Sequence, residues 1–301
     1  MNFDRYLLIN LIWYNRLFLG RRDMDLEDEL GDILEKARDG KRWSQVDLAK
    51  STGISIEDIV RIENYEWIPE EKVIFKIANA LNLHGPSLAA IAGGKWTPKE
   101  TTADPGHFDI ICLNVFMGSY PVKCYLLICR ETRATAIIDT GANPEVIIKK
   151  TCALGVKPKM ILLTHTHPDH AGGLAQLDKE FGCPTWVDKI EPRPSGSRDL
   201  RIIEGGDSIM LGKLKIATIP TRGHTPGGIS FKVNHSVFSG DAIFAGSMGR
   251  ANSSWMGLFD SITKNLLTLP ENTRLYPGHG PATTVGEEKM HNPFFCDKVF
   301  Q

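Results

Sequence analysis

Two textures of apolar patterning divide the chain. From Asp25 to Gly93, apolar residues recur every three or four positions. Leu26, Leu30, Ile33, Leu34 and Ala37 fall on one helical face, and Gly40 supplies a stop. Ser44 with Asp47 three residues on reads as a capping-box start, and Ser55 with Asp58 repeats it. Pro69 opens a further helix carrying Val73, Ile77, Ala80 and Leu81. Helices this short hold only when their apolar faces cover one another, so residues 25–93 are predicted to form a compact all-α domain. Residues 94–107 are rich in Gly, Pro and Thr, lack periodicity and read as a linker.

From Phe108 the period shortens. Strand-like runs occupy 108–116, 124–129, 135–139, 160–164, 214–220, 229–233 and 236–240, with helical stretches at 144–154 and 169–180. Strands mixed with helices in this way predict an α+β sandwich over 108–301. Residues 1–24 form an apolar extension of uncertain role. Its stretch 6–20 is too short to span a bilayer and is broken by Arg16. An interfacial helix, a docking helix, or a chain start at Met24 all fit it.

Composition narrows the picture only a little. A net charge of −1 offers no general attraction to nucleic acid or to an anionic membrane. Six cysteines without a C-x-x-C pair read as reduced thiols of a cytoplasmic protein.

Histidine placement changes the picture more. Three of the nine histidines fall in "THTHPDH", residues 164–170. The apolar run before it ends at this point, and Pro168 breaks the segment. His165 and His167, two apart, can face one point, while Asp169 and His170 lie past the turn and can face a second. Neutral imidazole and carboxylate suit zinc and similar divalent metals. Further candidates close other apolar runs: His224 in "RGHTPGG", Asp241 in "SGDAIF" and His279 in "YPGHG". Gly or Pro flanks each of them, as a tight loop at a strand end requires. His84, His107, His235 and His291 have no such context and read as ordinary residues.

The ordered set T-H-x-H-x-D-H, G-H-T-P-G, S-G-D and P-G-H-G resembles the metallo-β-lactamase fold, and more narrowly the glyoxalase II (hydroxyacylglutathione hydrolase) type. The resemblance implies an αββα sandwich with the site at one edge. It implies that His165, His167 and His224 bind one metal, that Asp169, His170 and His279 bind a second, and that Asp241 bridges them. It also implies that Asp139 in "IIDTG" supports the metal loop from behind. Two divalent ions follow, zinc first, with iron or manganese also accepted by such donors.

The implied reaction is thioester or ester hydrolysis. A hydroxide shared by the metals, its pKa lowered to roughly 7, would attack a carbonyl while Asp169 orients it. Arg250, in the loop after Asp241, stands where these enzymes meet a glutathione carboxylate. Asp241 itself departs from true metallo-β-lactamases, and His167 departs from diiron flavoproteins. A related but less well matched reading is the mononuclear iron persulfide dioxygenase, whose Arg-Thr-Asp run is missing from "GRANSS".

"SQVDLAKSTGISIEDIVRIEN", residues 44–64, resembles the Cro/C1 (XRE) helix-turn-helix. The resemblance implies a recognition helix near Ser55–Asn64 and DNA contacts from Gln45, Ser55 and Arg61. It also allows a homodimer. Residues 25–95 carry 14 acidic and 9 basic side chains, a balance of −5 that weakens phosphate binding. Two functions are thus in play: a metallo-hydrolase with an appended helical module, or a transcription regulator with a metallo-hydrolase-fold sensor.

Overall fold

The structure is a computed structural model and describes residues 26–99 and 106–296. The extension at 1–24 lies outside the described residues.

The helical unit comprises α1 (Leu30–Gly40), α2 (Gln45–Thr52), α3 (Ile56–Glu63), α4 (Glu71–Leu81) and α5 (Gly85–Ala92). The cap at α2 is the one the sequence predicts. Ser44 Oγ accepts from Asp47 N–H, and Asp47 accepts from Ser44 N–H. Such a cap contributes about 1 kcal/mol. Gly53, at φ 62°, closes α2 in the left-handed region, and Ser55 Oγ caps α3. Helix α4 starts at Glu71, two residues past the predicted Pro69, with Glu70 as its N-cap.

Two six-stranded sheets follow. The first runs β1 (Phe108–Met117), β2 (Tyr120–Cys129), β3 (Thr135–Ile138), β4 (Pro158–Leu162), β5 (Thr185–Asp188) and β6 (Leu200–Ile203), in that spatial order. The second, from edge to edge, is β14 (Thr283–Thr284), β13 (Arg274–Pro277), β10 (Ser236–Gly240), β9 (Ile229–Val233), β8 (Leu214–Pro220) and β7 (Ser208–Leu211). A two-stranded ribbon, β11 (Ile243–Phe244) and β12 (Ser247–Met248), follows β10.

Alternation along β2 explains the layering. Tyr125, Leu127 and Cys129 join Phe231 and Phe238 in the core between the sheets. Cys124, Leu126 and Ile128 face the other way, onto α6 (Glu145–Ala153) and α8 (Leu174–Phe181). The outer face of the second sheet, through Val237 and Leu275, meets α9 (Trp255–Ser261) and α10 (Val285–His291). The result is the αββα sandwich expected. The predicted helix 169–180 is two helices, α7 (Pro168–Ala171) and α8. Gly172 and Gly173 separate them, because Gly173 N–H turns to the carbonyl of Gly141, 2.6 Å away.

The helical unit does not stand apart. Leu30, Ile33, Leu34, Ile77 and Leu88 share one continuous core with Ile243, Met248, Leu258, Phe294 and Phe295 of the sandwich. Each such side chain contributes roughly 1.5–3 kcal/mol on burial. Polar bonds cross the same seam: His84 N–H donates to Pro293 O at 2.8 Å, and Lys36 Nζ to Met248 O at 2.8 Å. Trp96, within the predicted linker, packs on His291 with ring centroids 5.3 Å apart.

Candidate metal centre

The site lies where strands of both sheets end. The β4–α7 loop carries His165, His167, Asp169 and His170. The β8–β9 loop brings His224, the segment after β10 brings Asp241, and the one after β13 brings His279. They assemble as two groups: His165, His167 and His224, then Asp169, His170, Asp241 and His279. In each group the ligand atoms lie within 4.8 Å of one another. His224 Nε2 is 3.0 Å from His167 Nδ1, and His170 Nε2 is 3.4 Å from His279 Nε2. Asp241 stands between the groups. Its Oδ2 is 3.5 Å from both His224 Nε2 and His279 Nε2, and its Oδ1 is 3.3 Å from His170 Nε2.

The ring nitrogens facing away from the centre are held. His224 Nδ1 meets Arg250 O at 2.7 Å, His279 Nδ1 meets Pro121 O at 3.0 Å, and His170 Nδ1 meets Asp139 Oδ2 at 2.8 Å. An acceptor on the far nitrogen fixes the tautomer that leaves Nε2 as a ligand. Asp139 does more than hold His170. Its carboxylate also accepts from Thr164 N–H and Thr164 Oγ1, both at 2.8 Å, so it ties the β3 end to the start of the metal loop.

Glu191 was not legible in the sequence as part of this site. It is 5% exposed and accepts from Thr166 N–H and Thr166 Oγ1 through Oε2, and from Gly227 N–H through Oε1, each at 2.9 Å. One carboxylate thus joins the loop of His165 and His167 to the loop of His224. The signal available was weak: a lone acid after an unrecognised strand, β5. Gly278 is also specific to the site. A Cβ there would stand 2.3 Å from Asp241 Oδ1 and 2.5 Å from His170 Cε1, so only glycine fits between them.

The electrostatics suit cations. Burial, with nearby His170, holds His165 well below the usual imidazole range, and burial lowers His224 too. Burial alone would lower His170, but Asp241 and Asp139 overcome it and push it up to about 10. Asp241 and Asp169 likewise hold His279 well above its ordinary value, against burial. Burial would raise Asp241, yet His279 and His170 hold it well below the usual carboxylate range. His165 Nε2, buried, has no hydrogen-bond partner. A buried nitrogen aimed at other ligand atoms and left without a proton partner is what a divalent metal would satisfy. The donor set therefore fits the ions expected.

The remaining sequence candidates are employed elsewhere. Arg250 pairs with Glu35 at 2.8 Å and Asp39 at 3.4 Å, both on α1. Gln45 Nε2 donates to Glu63 at 2.8 Å, and Ser55 is the α3 cap. Arg61 lies 3.5 Å from Asp58 and over the Trp67 ring at 5.5 Å.

Fold and centre together define a metal-dependent hydrolase scaffold carrying an N-terminal helix-turn-helix. The chain belongs to the metallo-beta-lactamase superfamily, which matches residues 117–279, and residues 34–88 match a helix-turn-helix family of the Cro/C1 type. It is similar to the Bacillus subtilis "Probable metallo-hydrolase YqgX", with 33% identity covering 59% of this chain and 94% of that one. Hydroxyacylglutathione hydrolase GloC of Haemophilus influenzae is 33% identical, over 57% of this chain and 92% of its own. Human mitochondrial persulfide dioxygenase ETHE1 is 34% identical, over 58% and 72%. Among solved structures, the BLEG-1 B3 metallo-beta-lactamase superposes with TM-score 0.56 at 29% identity, covering 62% of this chain and 99% of that one. TTHA1623 in a di-iron-bound form gives 0.53 at 31%, covering 60% and 99%. Among the described residues, no helix is long and apolar enough to cross a membrane.

Proposed function

We propose that the chain is a dinuclear metal-dependent hydrolase of thioesters, working in the cytoplasm. The observation that carries this is Asp241, whose Oδ2 lies 3.5 Å from one histidine of each group. One carboxylate that reaches both groups makes sense for two cations held side by side. In this reading His165, His167 and His224 would hold one ion, Asp169, His170 and His279 would hold the other, and Asp241 would serve both. Two divalent ions so bound supply Lewis acidity and a water of lowered pKa. Zinc is the first expectation, and the di-iron form of a relative keeps iron open.

The chain's own groups do the rest. Asp169 Oδ2 lies 3.4 Å from His279 Nε2; burial alone would raise its carboxyl, but His279 and His170 hold it below the usual carboxylate range, so it can accept a proton from water at the centre. The Nδ1 partners of His170, His224 and His279 keep the rings fixed while charge develops on the substrate carbonyl. A thiolate leaving group needs no proton to depart at neutral pH, which favours thioesters over amides.

The test is a panel on purified protein: S-lactoylglutathione, simple acyl thioesters, aryl esters, a β-lactam, and glutathione persulfide with oxygen uptake recorded. Turnover is expected on thioesters. Oxygen uptake with the persulfide would replace this reading by the dioxygenase one, which the similarity to ETHE1 supports. Hydrolysis of the β-lactam alone would overturn the substrate class.

The helix-turn-helix supports a second reading, regulation through DNA. Arg61 and Gln45 both carry acidic partners, so this reading needs them to change partners on a duplex. A gel shift at physiological salt with the protein's own promoter decides it. Binding no tighter than to random duplex would remove it.

A further inference from the structure

Helix α1 of the helical unit lies against the loop that follows Asp241. Lys36 is held there by Asp28 and by Met248 O, and Lys36 Nζ sits 5.0 Å above the Phe244 ring. Lys36, Asp39, Arg250, Ala251 and Trp255 enclose a cavity of about 50 Å³ at this seam. It adjoins the back of the centre: the Arg250 carbonyl is the acceptor for His224 Nδ1, the ring nitrogen turned away from the other ligand atoms, so Arg250 and His224 are coupled through one contact. The Arg250 guanidinium, on the other side of the same residue, is taken by Glu35 and Asp39. These three side chains are 42%, 28% and 52% exposed, so a small ligand reaches them from solvent.

We propose that α1 forms a wall of the substrate channel, and that Glu35 and Asp39 set which charge a substrate may carry there. A substrate carboxylate seeking Arg250 must displace two carboxylates already on it. A neutral group meets no such competition. The helical unit thereby selects against thiols that bear carboxylates, by occupying the cation that would recognise them. Lys36 cannot replace Arg250 in this role, since its ammonium is buried against Asp28 and Met248 O. The proposal uses the thioesterase reading above only to choose its kinetic probe.

The experiment compares two matched pairs of ligands. One is S-lactoylglutathione and its diethyl ester, read as kcat/KM. The other is S-hexylglutathione and its diethyl ester, which cannot be hydrolysed, read as Kd by calorimetry. The quantity followed is the acid-to-ester preference. Glu35→Gln/Asp39→Asn should raise that preference about tenfold, and each single substitution about threefold, as expected for two part-exposed ion pairs. In an Arg250→Gln background the same double substitution should leave it unchanged.

A preference that stays within about twofold, or a shift that persists without Arg250, overturns the proposal. So does failure of both thioethers to bind the parent protein. If no thioester is hydrolysed but the thioether preference shifts as stated, the thioesterase reading falls and the wall stands. Melting curves of each variant, with the single substitutions as fallback, separate loss of fold from loss of selection.

Discussion

Glu191 should control one metal of the two. Its substitution by Ala removes three hydrogen bonds at 2.9 Å, two of them to backbone N–H groups of the loops that carry His165, His167 and His224. Each buried N–H left without an acceptor costs about 1–3 kcal/mol. Water entering the gap offsets part of this, so a net loss of about 2–4 kcal/mol of stability is reasonable. In a chain of this size each 1 kcal/mol lowers the melting temperature by roughly 2–4 °C. The larger consequence is local. Residues that hold ligand loops in place typically account for 10- to 100-fold of metal affinity. Glu191 touches the loops of the first group, and the His170, Asp241 and His279 positions depend on other braces, Asp139 and Pro121 among them. Titration with a chromophoric chelator, which resolves two dissociation constants, is the assay. Glu191→Ala should weaken one site about 10- to 100-fold and leave the other within about threefold. Equal weakening of both sites, or of neither, would refute the reasoning. Glu191→Gln should fall between, because an amide can accept from only one of the two loops.

Other outcomes follow from the same geometry. Gly278→Ala should cost about 1–3 kcal/mol of stability by overpacking and reduce turnover about 100-fold, since a methyl 2.3 Å from Asp241 Oδ1 moves the carboxylate; turnover within about threefold would contradict this. Metal uptake should release protons unevenly. His170, at about 10, is protonated in the metal-free protein at pH 8 and must lose that proton to bind, and His279 is held toward its charged form by Asp241 and Asp169, whereas burial holds His165 and His224 toward the neutral form. Affinity at the second group should therefore climb with pH up to about 10, and calorimetry in buffers of different ionisation heat should assign the release to that site alone. Glu288 should impose a pH dependence on stability. Burial pushes its carboxyl from 4.5 to about 8, against its bonds from Asn292 and Thr283. Between those values the folded state keeps a proton that the unfolded chain has lost, so stability should fall as pH rises from about 5 to 8, by at most about 1.4 kcal/mol per unit. Denaturant titrations across that range should show the slope, and Glu288→Gln should remove it.

Much of the candidate centre was legible because residue types suited to a metal leave a strong local signature. Histidines and aspartates beside Gly or Pro, each closing an apolar run, can be read from one sequence, and the structure brings all seven side chains together in two adjoining groups. The strands β5, β6 and β7 were harder. They are four residues each, and "TWVD", "LRII" and "SIML" are too short for alternation to rise above the background. Glu191 went with β5 for that reason. Helix caps such as Ser44 were legible because their partners lie three residues away. The packing of α1 on the sandwich was not. Nothing in the period of Ile33 and Leu34 says whether their neighbours come from the same unit or from Ile243 and Met248 two hundred residues later. The linker reading of 94–107 had the same weakness, since Trp96 finds its partner at His291. The fate of Arg250 depended on that packing as well. Its place after Asp241 suggested a substrate contact, while its partners Glu35 and Asp39 come from the far end of the chain.

In the proposed function, Asp241 joins two metal ions into one hydrolytic site. Elemental analysis together with thioester turnover, on the parent and on Asp241→Ala, tests it most directly. Two divalent ions per chain and thioester hydrolysis are expected in the parent, with loss of at least one ion and about 100-fold or more of turnover in the variant. A parent that holds less than one ion per chain, or a variant that keeps both ions and its turnover, would contradict it.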